Sequence, residues 1–265
     1  MSRKGASPST GYDAYDALVI AAHPDDAEVQ MGGTLAKLAR RGQRILLVDL
    51  TDGEPTEFAE AGVRARQADE AARALGVERL TLPHRDRLLT DEPGIRLEVA
   101  RLIREHRPRW VYGTGDACVH PDHAAAAAIT RAAVFLSRLG QWDRVEGAEP
   151  LAKQAPWAVE RLFFPHCKME PAWSEIAFAV DVSAVYDLKR EALAAYGSIF
   201  KPEDDRLLTF YEAEDAYFGR LLGVAYAEPF RSASLWGTQM HASWGWASMQ
   251  NPESWPILDG DVLCR

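Results

Sequence analysis

Residues 17–28 read ALVIAAHPDDAE, and the break after Ala22 decides the fold. Ala17 to Ala22 is a short continuous apolar run, as expected of a strand covered on both faces. His23-Pro24-Asp25-Asp26 ends that run. Gly32 to Arg41 then reads as a helix, with Gly42 suited to its C-terminal stop. Arg44 to Leu50 (RILLVDL) is a second buried strand. Working outward, Arg64 to Leu75 is helical with Gly76 as its stop, and Arg79 to Leu82 is a short strand. Ile95 to Glu105 is a helix, Trp110 to Gly113 a strand, and the Ala-rich Pro121 to Leu139 a helix. Strands alternating with helices give an α/β class, with a doubly wound, mostly parallel sheet and right-handed crossovers.

The C-terminal half changes character. Arg161 to Phe164 and Ile176 to Val180 read as strands, and Ser183 to Tyr196 and Tyr211 to Leu222 as helices, an α+β extension of the sheet. Residues 1–14, rich in Ser, Pro and Gly, form a flexible tail, and 15–265 a single domain with no repeat or linker to divide it. Trp236, Trp244, Trp246 and Trp255 follow no period and are read as packing or oligomer contacts.

The chain has 265 residues, 47% hydrophobic and 26% charged, so it can bury a full core without a structural metal. A metal site in it is therefore catalytic before it is structural. The net charge of −9 argues against a nucleic-acid partner. Three cysteines without a CxxC pair fit a reducing compartment. No stretch approaches the roughly 20 apolar residues that span a bilayer, and the N-terminus lacks a leader's apolar run. A cytoplasmic protein without membrane contact is expected.

Two motifs carry chemistry. His23-Pro24-Asp25-Asp26-Ala27-Glu28 stands where the first strand ends. His120-Pro121-Asp122-His123 follows the strand at Trp110 to Gly113 and opens the Ala-rich helix. Ligand-binding loops of such sheets lie beyond the strand carboxyl ends, which places both motifs on one edge. One such tetrapeptide arises by chance in roughly one chain in a thousand of average composition, and two at strand ends multiply those odds.

A catalytic zinc takes three ligands from His, Asp and Glu and keeps one place for water. His23 and Asp26, three apart on a turn, can share an ion that His123 closes. Asp25, between two ligands, is placed as general base. His120, one helical turn before His123, can donate to an oxyanion or to the departing amine. Asp122 can fix the tautomer of a histidine ring. Glu28 either charges the first helical turn or supports the ligands.

These residues resemble the PIG-L/LmbE-like family of zinc-dependent N-acetylglucosaminyl deacetylases, whose A-H-P-D-D-x-E signature is matched by Ala22 to Glu28 and whose H-x-x-H is matched by His120 to His123. The resemblance implies a Rossmann-like fold, Zn2+ on His23, Asp26 and His123, Asp25 as base, and His120 as a charged transition-state stabiliser. Fe2+ suits the same imidazole–carboxylate set. The resemblance further implies a GlcNAc-type small-molecule substrate, contacted by Glu54 of the Asp49–Glu54 segment, by Arg64 and by Asp86, and a homo-oligomer. Val180–Ser183, Lys189, Tyr196–Phe200 and Tyr226–Phe230 are similar to the bacillithiol-biosynthesis deacetylase branch, which acts on N-acetylglucosaminyl malate. Gln67, Ile199 and Asp116–Val119 depart from the pattern, and Cys118 stands where some relatives carry Tyr.

Two other functions fit parts of the sequence. An NAD-dependent oxidoreductase would use Gly32-Gly33 and Asp49, but Asp25, Asp26 and Glu28 put negative charge where a pyrophosphate must sit. A non-catalytic sugar-binding protein would have no need of Asp25 beside an intact ligand set. His84, His106, His166 and His241 lack partners at ligand spacing and are read as structural or surface histidines.

Overall fold

The computed structural model describes residues 14–55, 60–115, 118–168, 176–201, 204–232 and 262–263. The parallel half runs β1 (Ala17–Ala21), α1 (Asp26–Arg40), β2 (Ile45–Thr51), α2 (Val63–Leu75), β3 (Glu78–His84), α3 (Pro93–His106), β4 (Trp110–Gly113) and α4 (Pro121–Ser137). A short α5 (Glu149–Ala152) leads to β5 (Arg161–Pro165) and β6 (Phe178–Asp181). The chain then forms α6 (Tyr186–Ala194), α7 (Arg206–Leu222), β7 (Ala227–Ser232) and the two-residue β8 (Val262–Leu263).

The strands make one sheet in the order β3-β2-β1-β4-β5-β7-β6-β8. The first five pair in parallel and the remaining pairs are antiparallel. This is the doubly wound sheet with an α+β extension expected from the sequence. The order reverses between β1 and β4, so chain leaving those two strands diverges and opens a crevice at their carboxyl ends. Both histidine motifs lie there.

Alternation along the strands fills two cores. Ala17, Val19 and Ala21 of β1 face one layer with Ile45, Leu47, Trp110 and Tyr112, under α1, α2 and α6. Leu18 and Ile20 face the other with Leu46, Val48 and Val111, under α3 and α4. Hence the first strand reads as unbroken apolar sequence: neither side meets water. Gly76 ends α2 in the left-handed region, as expected.

The first helix begins earlier than its sequence suggests, at Asp26 rather than Gly32. Gly32 and Gly33 are therefore mid-helix, just after a kink at Met31. Their role is close packing. A Cβ on Gly33 would meet Val182 Cβ at 2.7 Å, and one on Gly32 would meet Lys189 Cγ at 3.2 Å. The backbone N–H groups of Gly33 and Thr34 donate to Glu228, at 2.9 and 2.7 Å. With its glycines packed against protein and its N–H groups given to a carboxylate, this segment cannot cradle a pyrophosphate, so the dinucleotide reading loses its support. The strand at Ala227–Ser232 was not singled out as a strand, and α7 starts at Arg206, before the expected Tyr211. The N-terminal tail and the four tryptophans of the C-terminal segment lie outside the described residues. No described helix is long and apolar enough to cross a membrane.

Candidate metal centre

The turn after β1 sets up the site through one unusual backbone position. Asp25 has φ 105° and ψ −26°, a region that costs a non-glycine residue about 1–3 kcal/mol. It sits at the N-cap of α1 without capping it by its side chain. The carboxylate instead lies 3.1 Å from Nη2 of Arg64, which also donates from Nε to the Pro24 carbonyl at 3.2 Å. Asp26, the first helical residue, folds back so that its Oδ2 accepts the His23 backbone N–H at 2.8 Å.

The second loop enters α4 with His120 as N-cap and Pro121 at the first turn. His123 then points at the first loop, its Nε2 lying 3.0 Å from Asp26 Oδ1. His23 approaches the same carboxylate through Nδ1, 3.3 Å from Oδ2. One ligand atom from each of His23, Asp26 and His123 falls within 4.8 Å of the other two. Two loops nearly a hundred residues apart thus bring together the three residues expected to hold an ion.

The other nitrogen of His23 is also committed. Its Nε2 is 3.1 Å from both Asp86 Oδ1 and Asp122 Oδ2. The two carboxylates favour a proton on Nε2, which leaves the Nδ1 lone pair for an ion. Asp122 is buried and is itself held by the Arg87 backbone N–H at 2.7 Å. His120 accepts the Asp122 N–H on Nδ1 at 3.2 Å, so its Nε2 is the side that can donate. The ring is stacked on His123, with centroids 4.9 Å apart.

The electrostatics suit a cation. Burial alone would lower the pKa of His23, but Asp26 and Asp86 outweigh it and push the ring up to about 11. Burial is likewise overridden at His123, which Asp26 and Cys118 raise to about 10. Burial pushes Asp26 up, but His123 and His23 outweigh it and hold the carboxyl far below the usual carboxylate range. Asp25 goes the other way: burial lifts it to about 7 against the pull of Arg64. A site that holds protons on two histidines this firmly has a place for positive charge. Two imidazole nitrogens and a carboxylate are a donor set for Zn2+ or Fe2+.

The expected substrate contacts are placed less simply. Arg64 is buried against Asp25 and Pro24, and Asp86 is turned to the His23 ring. Glu54 accepts the Gly62 N–H at 3.1 Å on the loop beyond β2. Glu28 supports the site from below: fully buried, it accepts from Arg79 Nη1 at 2.5 Å and from the Tyr196 hydroxyl at 2.8 Å. Arg79 also grips both oxygens of Asp49, at 2.6 and 2.8 Å. Sequence reasoning missed Arg79, whose only signal was an arginine opening a short predicted strand. It missed Cys167 as well, which with His123 pulls the Cys118 thiol down to about 4. His84 pairs with Glu98 at 2.8 Å and His166 with Glu214 at 3.3 Å. His241 lies outside the described residues.

Comparison with known proteins follows the same two loops. The family model described as GlcNAc-PI de-N-acetylase, PIG-L, matches residues 18–134, which span both motifs. Diacetylchitobiose deacetylase of Thermococcus kodakarensis is 29% identical over 239 residues, covering 83% of this chain and 83% of that protein. The 1D-myo-inositol 2-acetamido-2-deoxy-alpha-D-glucopyranoside deacetylase of Rhodococcus erythropolis is 28% identical over 236 residues, covering 68% and 80%. Among solved structures, a conserved protein from Thermus thermophilus superposes with a TM-score of 0.73 at 38% identity, covering 83% of this chain and 94% of its own.

Proposed function

This chain belongs to the PIG-L family of GlcNAc-PI de-N-acetylases, and from that premise we propose that it is a metal-dependent hydrolase removing the N-acetyl group from a small GlcNAc glycoside. The observation that carries the reading is the convergence of His23, Asp26 and His123 within 4.8 Å, with Asp25 beside them and raised to about 7. The two relatives are named for a diacetylated chitobiose and for a GlcNAc–inositol. The likeness of Val180–Ser183, Lys189, Tyr196–Phe200 and Tyr226–Phe230 to the bacillithiol branch adds N-acetylglucosaminyl malate as a third candidate. Common to all three is a GlcNAc unit on a small polar aglycone, and that is the substrate class proposed.

His23, Asp26 and His123 would hold the ion, which when bound supplies Lewis acidity and a lowered water pKa. Asp25 takes the proton from the attacking water as the new C–O bond forms at the acetyl carbon. A carboxyl lifted by burial is a stronger base than an exposed one, which suits it to that task. His120 donates from Nε2 to the oxygen on which negative charge develops. The C–N bond then breaks, and the proton held by Asp25 passes to the departing amine, giving acetate and the free amino sugar. Asp122 and Asp86 keep His23 in the tautomer that leaves Nδ1 for the ion. Arg64 holds Asp25 in place, and with Glu54 it forms the side from which sugar hydroxyls are met.

The test is release of free amine and acetate from diacetylchitobiose, GlcNAc–inositol and N-acetylglucosaminyl malate, with Zn2+ or Fe2+ supplied and removed by chelation. Metal-dependent release from at least one is expected. No release from any, with one ion per chain verified by elemental analysis, would overturn the proposal.

A further inference from the structure

His123 is shared between two sets of donors. Through Nε2 it faces Asp26, and through Nδ1 it lies 3.1 Å from Cys118 Sγ. A third donor arrives from another strand: Cys167, two residues past the end of β5. Ligand atoms of Cys118, His123 and Cys167 all lie within 4.8 Å of one another. We propose that these three residues form a second metal site, selective for thiophilic divalent ions, that competes with the hydrolytic centre for His123.

The dimensions fit. With Zn–S near 2.3 Å and Zn–N near 2.0–2.1 Å, a tetrahedral ion sets S···N edges of about 3.5 Å and S···S edges of about 3.8 Å. The Cys118–His123 edge needs to open by only about 0.4 Å to reach that value, a small rotation for Cys118 in the half-buried loop before α4.

The backbone is also shaped for the encounter. Gly115, beyond the end of β4, has its N–H bound by Gln30 Oε1 at 2.8 Å. A Cβ there would meet Cys167 Cβ at 2.8 Å and Cys167 N at 2.9 Å. The missing side chain is what lets the buried Cys167 come up against Cys118 and against His123 in the first turn of α4. Any larger residue at Gly115 would push the two thiols apart.

The chemistry separates the two sets. Two thiolates and an imidazole are soft and take Zn2+ or Cd2+ in preference to Mg2+ or Mn2+. The His23–Asp26–His123 set, with oxygen and nitrogen donors, is harder. Ion uptake releases to solvent whatever protons the two thiols and the His123 ring still hold. A neutral imidazole has a single lone pair, so one His123 ring serves one ion at a time. Filling the sulfur set therefore withdraws a ligand from the other. The site itself goes beyond the proposed hydrolysis; only its inhibitory effect on turnover rests on that reading.

Titration with Co2+ tests this without relying on activity. The first equivalent should give ligand-field bands of a nitrogen–oxygen site. Further Co2+ should bring up an intense sulfur-to-cobalt charge-transfer band in the near ultraviolet and alter those first bands as His123 is withdrawn. Cys167→Ser should lose that band and keep the first. Zn2+ in excess should inhibit the wild type and inhibit Cys167→Ser at least tenfold less. Wild type saturating without any thiolate band, or equal zinc inhibition in both proteins, would overturn the proposal. Failure of the first bands would instead count against the hydrolytic centre. Should the variant not fold, alkylation of the wild type decides. Zn2+ but not Mg2+ should protect Cys118 and Cys167, resolved from Cys264 by peptide mapping, and equal labelling with either ion would overturn the site.

Discussion

Each half of this sheet buries a cluster of charges, and they are finished differently. In the antiparallel half, Lys189 donates to Asp215 and Glu228, both at 2.7 Å. Lys168 pairs with Asp215, and Tyr186 donates to it at 2.9 Å. Two cations meet two anions, and Thr34 and Gly33 of α1 satisfy the rest of Glu228. In the parallel half, Asp25, Asp26, Asp86 and Asp122 crowd around two histidines with Arg64 as the near cation. The first cluster is closed and neutral, a fixture that ties α1, α6, α7 and β7 together. The second has an excess of carboxylate that a divalent ion would balance. Buried charge by itself says little about function; the sum of the charges and the direction of the lone pairs separate a strut from a site.

That contrast breaks first at Asp25. Asp25→Asn should lower turnover by about 10²–10⁴-fold, the usual worth of a general base, while elemental analysis still finds one ion per chain. Loss of the ion would move Asp25 from base to ligand. The closed cluster should respond in stability instead. Lys189→Met removes the cation that lies between two buried carboxylates and should cost about 3–5 kcal/mol, read as a lower urea midpoint. If it cost less than about 1 kcal/mol, the antiparallel cluster would not be the strut described here.

The parallel half was the easier to read. Ala17–Ala21 and Ile45–Val48 are apolar on both faces because both are covered, and a run of that kind marks a central strand wherever it stands. The two histidine motifs were legible because each ligand set is local, three or four residues on one turn, and the sheet's switch point does the rest. Gly32-Gly33 misled the helix boundary: glycine near a turn and glycine at a tight helix contact look alike until Val182 and Lys189 are seen against them. Arg79, Cys167 and the Lys189 cluster were not legible as partners, because each is defined by residues far away in sequence. Arg64 and Asp86 were marked by likeness alone, and the structure sets them on Asp25 and His23.

The comparison sharpens with pH. Protonated His23 and His123, near 11 and 10, lie above the ordinary imidazole value of about 6.5. The stabilisation they give the metal-free chain is complete below about pH 6.5 and is lost as pH rises through their folded values. Ion binding needs both rings neutral, so its affinity moves the opposite way, by up to about a hundredfold per pH unit with two protons released. Melting curves with metal and with chelator should therefore diverge as pH rises from 6.5. A constant gap would mean that the histidines are not the ligands. The Lys189 cluster, closed and cation-paired, should show no such metal-linked change.

The smallest effect tests how finely His23 is aimed. Asp122 accepts from both His23 Nε2 and the Arg87 N–H, so it couples the ring to the loop beyond β3. Removing a carboxylate that orients a ligand histidine usually costs about 10–100-fold in metal affinity. Asp122→Ala loses charge and acceptor together and should fall near the upper end. Asp122→Asn keeps an oxygen for the ring proton and should fall near tenfold. Competition against a fluorescent zinc chelator measures both. Equal losses would mean that the negative charge, rather than the hydrogen bond, is what His23 needs from Asp122. Wild-type affinity in both would leave Asp86 as the sole carboxylate orienting the ring, and the parallel cluster would be a looser site than its distances suggest.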